Sequence, residues 1–320
     1  GVAWADTVKI GFNVPLTGFA AADGESALTG AKLAVKQANA AGGINGKQIE
    51  LVVYDDQASP KEALPIANRL IEKDGVKVAV SGSYSGSTRA AAGVFQAANI
   101  PYISAYAVHP DITRSGKYVF RTSFMGEVQG RAGALLIGQT MQHKRVVMIT
   151  LKNDFGKSLA AGFKAEAANY GIEIINEYEY SIRDRQFGSI VAKVRSDQPD
   201  AIYASGYFFT AGPLVRQLRS GGVAAPVIGQ EGYDGEQFIK IAGPAAEGVL
   251  ITTSLDRDST DSEARAFITE YEKFSGNKVD MVSASTHTAI NVVVAALRMA
   301  GTSNPDAIRD AISKTSLKAA

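Results

Sequence analysis

The sequence predicts an α/β protein made of two doubly wound, Rossmann-like parallel-sheet lobes joined by a multi-segment hinge, with a ligand held in the cleft between the lobes. From Val8 onward, short β-branched runs alternate with longer Ala-rich stretches of helical period, the pattern that builds parallel sheets from βαβ units. A chain of 320 residues exceeds one ordinary domain and suits two. The strand-like runs also fall into an early and a late group, separated by the stretch 122–129.

In the early group, strands are expected at residues 8–14, 49–54, 76–81 and 102–104, with amphipathic helices at 26–41, 60–74 and 87–98 between them. The late group has strands at 145–150, 172–178, 201–206, 227–230 and 249–253, with helices at 130–141, 157–170, 188–196 and 208–221. A first crossing between lobes is expected at 122–129 and a second near 254–258, which sends helices 261–274 and 283–300 back to the first lobe. Lobe 1 then comprises residues 1–124 and 256–320, and lobe 2 residues 125–255.

Composition narrows the function. Hydrophobic residues make up 46% of the chain and charged residues 20%, enough for a substantial core. The 33 basic and 32 acidic residues leave a net charge of +1, so no field draws nucleic acid or an anionic membrane, and a small molecule is the expected partner. Without cysteine there is no disulfide, thiol nucleophile or Cys-ligated metal. His109, His143 and His287 form no metal-ligand spacing, and no metal or cofactor is expected. No apolar run is long enough to span a membrane. Ala3 and Ala5 before a polar start match the end of a removed signal peptide or else a cloning remnant; the first implies export to the periplasm.

In open α/β sheets ligands bind beyond the carboxyl ends of the strands. The segment Ser81–Thr88 holds four serines and two glycines at the start of a helix, a seat for a carboxylate with Ser85 as the leading hydroxyl; alternatively Ser87 or Thr88 merely caps the helix. It matches neither a phosphate-binding GxGxxG nor a nucleophile elbow, since Tyr84 stands where the serine of GxSxG belongs. Glu231 follows a strand and either pairs with a ligand ammonium or is a solvated loop residue. Tyr84, Tyr106, Phe155, Tyr207, Phe208, Phe209 and Tyr233 lie in or beside strand-end loops, where some line the cleft and others pack in the core. No nucleophile, metal cluster or acid pair proposes an enzyme.

These loops in this order resemble the branched-chain amino acid (leucine/isoleucine/valine-binding) family of periplasmic binding proteins, of the type I or Venus-flytrap fold. The likeness runs from Val8 to about Ile312, through Pro15-Leu16-Thr17-Gly18, Ala41-Gly42-Gly43-Ile44-Asn45-Gly46, Tyr54-Asp55-Asp56, Asp154-Phe155-Gly156 and Gly229-Gln230-Glu231-Gly232. It implies an ABC-importer component that captures an amino acid, with Ser85 and Ser87 in the carboxylate loop and Glu231 on the ammonium. The backbone of Tyr106 and Val108 would supply further bonds, and Tyr207 and Phe155 would cover the ligand. Val108 stands where the family often has Thr. Asp23 falls near the family's first-loop aromatic, in Phe19–Glu25, where it either meets a polar ligand group or is solvated in a displaced loop. The resemblance further implies a membrane permease as partner, action as a monomer, and a last crossover and strand beyond Ala320. Rival readings are an aromatic carboxylate or an amide or urea as ligand, and a sensory domain on the same fold.

Overall fold

A computed structural model describes residues 6–255 and 257–316; the Ala3/Ala5 pattern and part of the second expected crossing lie outside them. The chain divides into two compact units, 1–124 with 257–320, and 125–256. The first contains β1 (Thr7–Val14), α1 (Ala21–Ala40), β2 (Gln48–Asp55), α2 (Pro60–Glu72), β3 (Ala79–Ser81), α3 (Ser85–Ala97), β4 (Tyr102–Ser104) and β5 (Val119–Arg121). The second contains α4 (Gly126–Leu135), β6 (Arg145–Leu151), α5 (Asp154–Ala167), β7 (Glu173–Tyr180), α6 (Gly188–Asp197), β8 (Ala201–Ala204), α7 (Phe208–Ser220), β9 (Val227–Gly229), α8 (Glu236–Ala242) and β10 (Leu250–Ile251). Helices α9 (Ser262–Ser275), α10 (Met281–Ala300) and α11 (Pro305–Ser316) belong to the first unit.

Both five-stranded sheets are wholly parallel, in the orders β2-β1-β3-β4-β5 and β10-β9-β8-β6-β7. A parallel sheet carries helices on both faces, so its inner strands are buried on both sides. Accordingly Val8, Ile10, Phe12 and Val14 of β1 are fully buried, as are Val146, Met148 and Ile149 of β6. Strand order reverses between β1 and β3 in the first sheet and between β6 and β8 in the second, and such switch points are where open α/β sheets bind ligands.

Several boundaries differ from expectation. Helix α1 begins at Ala21, not residue 26, because it starts without a side-chain cap that could have been recognised; Asp23 in its first turn complements the helix dipole instead. Helix α4 starts inside the expected crossing, at Gly126, and continues through a π-helical turn, Leu136–Thr140. Strand β3 begins later than expected, at Ala79, and β10 is trimmed at both ends to Leu250–Ile251, the residues registered in the ladders with β1 and β9. The three-residue β5 and the short α8 are too brief for a periodic signal. Helix α11 had a readable start that was missed: Asn304 Oδ1 accepts from the N–H groups of Asp306 (2.9 Å) and Ala307 (3.2 Å), with Pro305 opening the helix.

Between α1 and α10, His287 Nε2 lies 2.7 Å from Gln37 Oε1 and its Nδ1 lies 3.3 Å from Asn291 Nδ2. The Gln37 amide nitrogen bonds Glu270, so its oxygen faces the ring and the hydrogen sits on Nε2. Burial lowers the His287 pKa to about 4, against a smaller opposing pull from Glu270. With the folded pKa below the ordinary value of about 6.5, the unfolded chain binds this proton more tightly. The contribution of His287 to stability is therefore fully present above about pH 6.5 and lost as pH falls through about 4. Urea unfolding at pH 7 and pH 4 is expected to give a pH-dependent loss about 3 kcal/mol smaller in His287→Gln than in the parent chain.

Candidate functional site

The serine loop leaves β3 at the first switch point. Asp56, at the end of β2, is fully buried and holds this loop: its carboxylate accepts from Asn13 Nδ2 (2.9 Å), the Ala58 N–H (2.9 Å) and Ser83 Oγ (3.1 Å). Burial pushes its pKa up, opposed by these bonds. Its neighbour Asp55 holds the loop after β1 by accepting from the Leu16 N–H (2.8 Å) and Thr17 Oγ1 (2.5 Å). Burial pushes Asp55 up as well, but the bonds outweigh it and keep the carboxyl below its ordinary range.

Within the loop, Tyr84 occupies the cap position of α3 and caps it with no side-chain bond. This corrects the alternative in which Ser87 or Thr88 caps: both lie within the helix, Thr88 Oγ1 donates to Ser83 O (3.2 Å), and Ser87 Oγ is buried without a partner among the described residues. Ser85 Oγ accepts from the N–H groups of Val108 (3.2 Å) and His109 (3.3 Å). Those bonds use both its lone pairs, so the hydroxyl hydrogen is free to donate. The Val108 N–H, expected to reach a ligand itself, is thus engaged by Ser85. Together the Ser85 hydroxyl, the buried Ser87 hydroxyl and the first N–H groups of α3 form a donor-rich seat at a helix N-terminus, suited to a carboxylate.

Asp23 is neither in a loop nor solvated: it is 6% exposed in the first turn of α1 and accepts from Tyr84 Oη at 2.6 Å. Tyr106 meets Tyr84 edge-on at 6.3 Å and donates to Gly82 O at 2.5 Å. The hydroxyls of Tyr84 and Tyr106 therefore brace the loop.

In the second unit, Asn153 caps α5 by accepting from the Gly156 N–H (2.8 Å), which places Phe155 after β6; Tyr207 opens α7 after β8. The two strands flank the second switch point, and the rings stack with centroids 4.5 Å apart. The stack continues to Phe209 (5.5 Å), over which the Arg185 guanidinium lies at 5.1 Å.

Glu231 follows β9 in a single helical turn, Glu231–Tyr233, and is 3% exposed, which rules out a solvated loop residue. Its Oε1 accepts from the Ser254 N–H (2.8 Å) and Ser254 Oγ (2.6 Å), and its Oε2 accepts from Gln129 Nε2 (3.3 Å). Burial pushes its pKa up, opposed by the Ser254 bonds. Gln129 and Ser254 were read only as parts of crossings; a polar residue at a buried helical position was the available signal for Gln129. A Cβ on Gly232 would come within 2.3 Å of Gly206 O, so the Glu231 turn packs directly on the loop before Tyr207.

The family model for periplasmic binding proteins matches residues 7–320. The chain belongs to that family. It is 30% identical over 309 residues to a leucine-, isoleucine-, valine-, threonine- and alanine-binding protein of Pseudomonas aeruginosa, covering 96% of this chain and 82% of that one. A branched-chain amino acid transporter substrate-binding protein of Streptococcus pneumoniae, solved with isoleucine, superposes with a TM-score of 0.91 at 30% identity, covering 97% and 88% of the two chains. A Rhodopseudomonas palustris solute-binding protein solved with benzoate gives 0.88 at 26% identity, covering 96% and 85%. Among the described residues no group of three or more His, Asp or Glu could hold a metal ion, and no helix is long and apolar enough to cross a membrane.

Asp56 gives the site its first test. Asp56→Asn keeps the shape but turns an NH2 group toward a site of three donors, so the denaturation midpoint is expected to fall by the equivalent of about 1–3 kcal/mol. An unchanged midpoint would mean that Asp56 does not hold the serine loop.

Proposed function

We propose that the chain is the ligand-capturing component of an ABC importer and that it takes an amino acid, of branched-chain or related aliphatic kind. One observation carries the reading: Glu231 is a buried carboxylate with no Lys, Arg or His within ion-pair distance among the described residues. An ionised carboxylate buried without a counter-charge is costly, and a ligand ammonium supplies that charge. The donor-rich Ser85 seat suits an α-carboxylate, and the Phe155–Tyr207 stack suits an apolar side chain. The relatives named for leucine, isoleucine and valine support this choice. Export to the periplasm, docking on a membrane permease and action as a monomer complete the proposal, which assigns the chain no catalysis.

The aromatic stack and the benzoate-bound relative favour a second reading, an aromatic carboxylate. Such a ligand offers Glu231 no cation.

Calorimetry with the twenty amino acids, 4-methylpentanoate and benzoate separates the two. Leucine or a close relative is expected to bind and 4-methylpentanoate to bind weakly. Glu231→Gln is expected to weaken the amino acid about 10- to 100-fold, as for a charged hydrogen bond worth about 1.5–3 kcal/mol. Ser85→Ala is expected to weaken it about 10-fold. Binding of benzoate or 4-methylpentanoate in preference to every amino acid would overturn the reading. Because burial raises the Glu231 pKa, amino-acid affinity is also expected to fall as pH drops toward that pKa, and Glu231→Gln to flatten the profile.

A further inference from the structure

We propose that Gln129 is a ligand-binding residue, its side-chain carbonyl sharing the ligand's ammonium with Glu231 Oε2. The proposal rests on the reading of Glu231 as an ammonium seat and specifies what that seat demands.

The two Glu231 oxygens are unequal. Oε1 is occupied by the two donors of Ser254, at 2.8 and 2.6 Å, whereas Oε2 has one long bond, 3.3 Å from Gln129 Nε2. An ionised carboxylate only accepts, so it turns the Gln129 NH2 toward itself and the carbonyl away. That carbonyl oxygen, Gln129 Oε1, is buried and receives no hydrogen bond among the described residues. Two acceptors in want of a donor, one charged and one neutral, thus stand on adjoining groups. A buried acceptor without a donor is unfavourable, and relief requires a group that donates in more than one direction.

Gln129 is held in place. Helix α4 packs against α5 at two glycines: a Cβ on Gly130 would lie 2.1 Å from Leu159 O, and one on Gly162 would lie 2.1 Å from Glu127 O. Backbone meets backbone on either side of Gln129, so the helix that carries it is held tightly against α5. A primary ammonium, with three N–H bonds, serves Glu231 Oε2 and Gln129 Oε1 together. An amine with a single N–H serves only one of them. The ligand class is accordingly an amine that keeps at least two N–H bonds, primary or secondary.

The test compares leucine with N,N-dimethylleucine, whose ammonium keeps one N–H, by calorimetry on the full chain and on Gln129→Met, which has similar length and no acceptor oxygen. Wild type is expected to bind leucine and to discriminate against the dimethyl compound. Gln129→Met is expected to weaken leucine about 10- to 100-fold and to change the dimethyl compound less, so the discrimination ratio shrinks. If Gln129→Met binds leucine as tightly as wild type, or loses both ligands equally, Gln129 is not a ligand contact and the proposal falls while the Glu231 reading stands. If wild type binds no ammonium-bearing compound, both fall, a result seen without any variant. Should Gln129→Met not unfold cooperatively, NMR of the wild-type Gln129 amide decides: its resonances shift with leucine and not with saturating N,N-dimethylleucine, and equal shifts overturn the proposal.

Discussion

Because every strand in each sheet runs parallel, each sheet exposes the ends of its central strands along one edge, and the polar backbone there has to be satisfied without a neighbouring strand. The chain meets this constraint with buried side chains. At the first switch point Asn13, Asp56, Ser81 and Tyr102 form one hydrogen-bonded cluster, with Tyr102 Oη donating to Asn13 Oδ1 and Asn13 Nδ2 reaching both Asp56 and Ser81. At the second, Ser205 Oγ accepts from the Leu151 N–H, while Tyr180 and Tyr233 donate to the carbonyls of Ser205 and Ala204. Such networks are costly when incomplete and rigid when complete, which makes the strand ends stable platforms for ligand groups.

The two platforms carry opposite chemistry. The first is rich in donors: it uses a hydroxyl whose lone pairs are taken up by the N–H groups of Val108 and His109, placed at a helix N-terminus. The second is a carboxylate beside a wall of stacked rings.

How much of this was legible in the sequence depended on what each element advertises. Period and β-branching place β1, β2, β6 and β7 well, because long strands repeat their signal, whereas Val119–Arg121 and Glu236–Ala242 are too short to repeat anything. Ser85, Glu231, Phe155 and Tyr207 could be singled out because loops after strands are few. What each side chain touches was not legible. The 2.6 Å bond from Tyr84 to Asp23 joins residues from different βα turns, and Gln129 and Ser254 meet Glu231 from distant parts of the chain. Such partnerships exist only once the sheets have assembled, and the helical start at Ala21 lacked the cap that would have moved Asp23 out of its expected loop.

The close crossing of α4 and α5 has a consequence for how this scaffold can diversify. With glycines at Gly130 and Gly162 leaving no room for a methyl group, substitutions near Gln129 would disturb a backbone contact, whereas Phe155, Tyr207 and Phe209 meet through rings that can be exchanged for others of similar size. The surroundings of Gln129 and Glu231 are thereby frozen, and the stacked rings are left free to drift. On the proposed reading of Glu231 and Gln129, duplicated copies of such a gene would part company in side-chain preference long before they lose their common demand for an amino group.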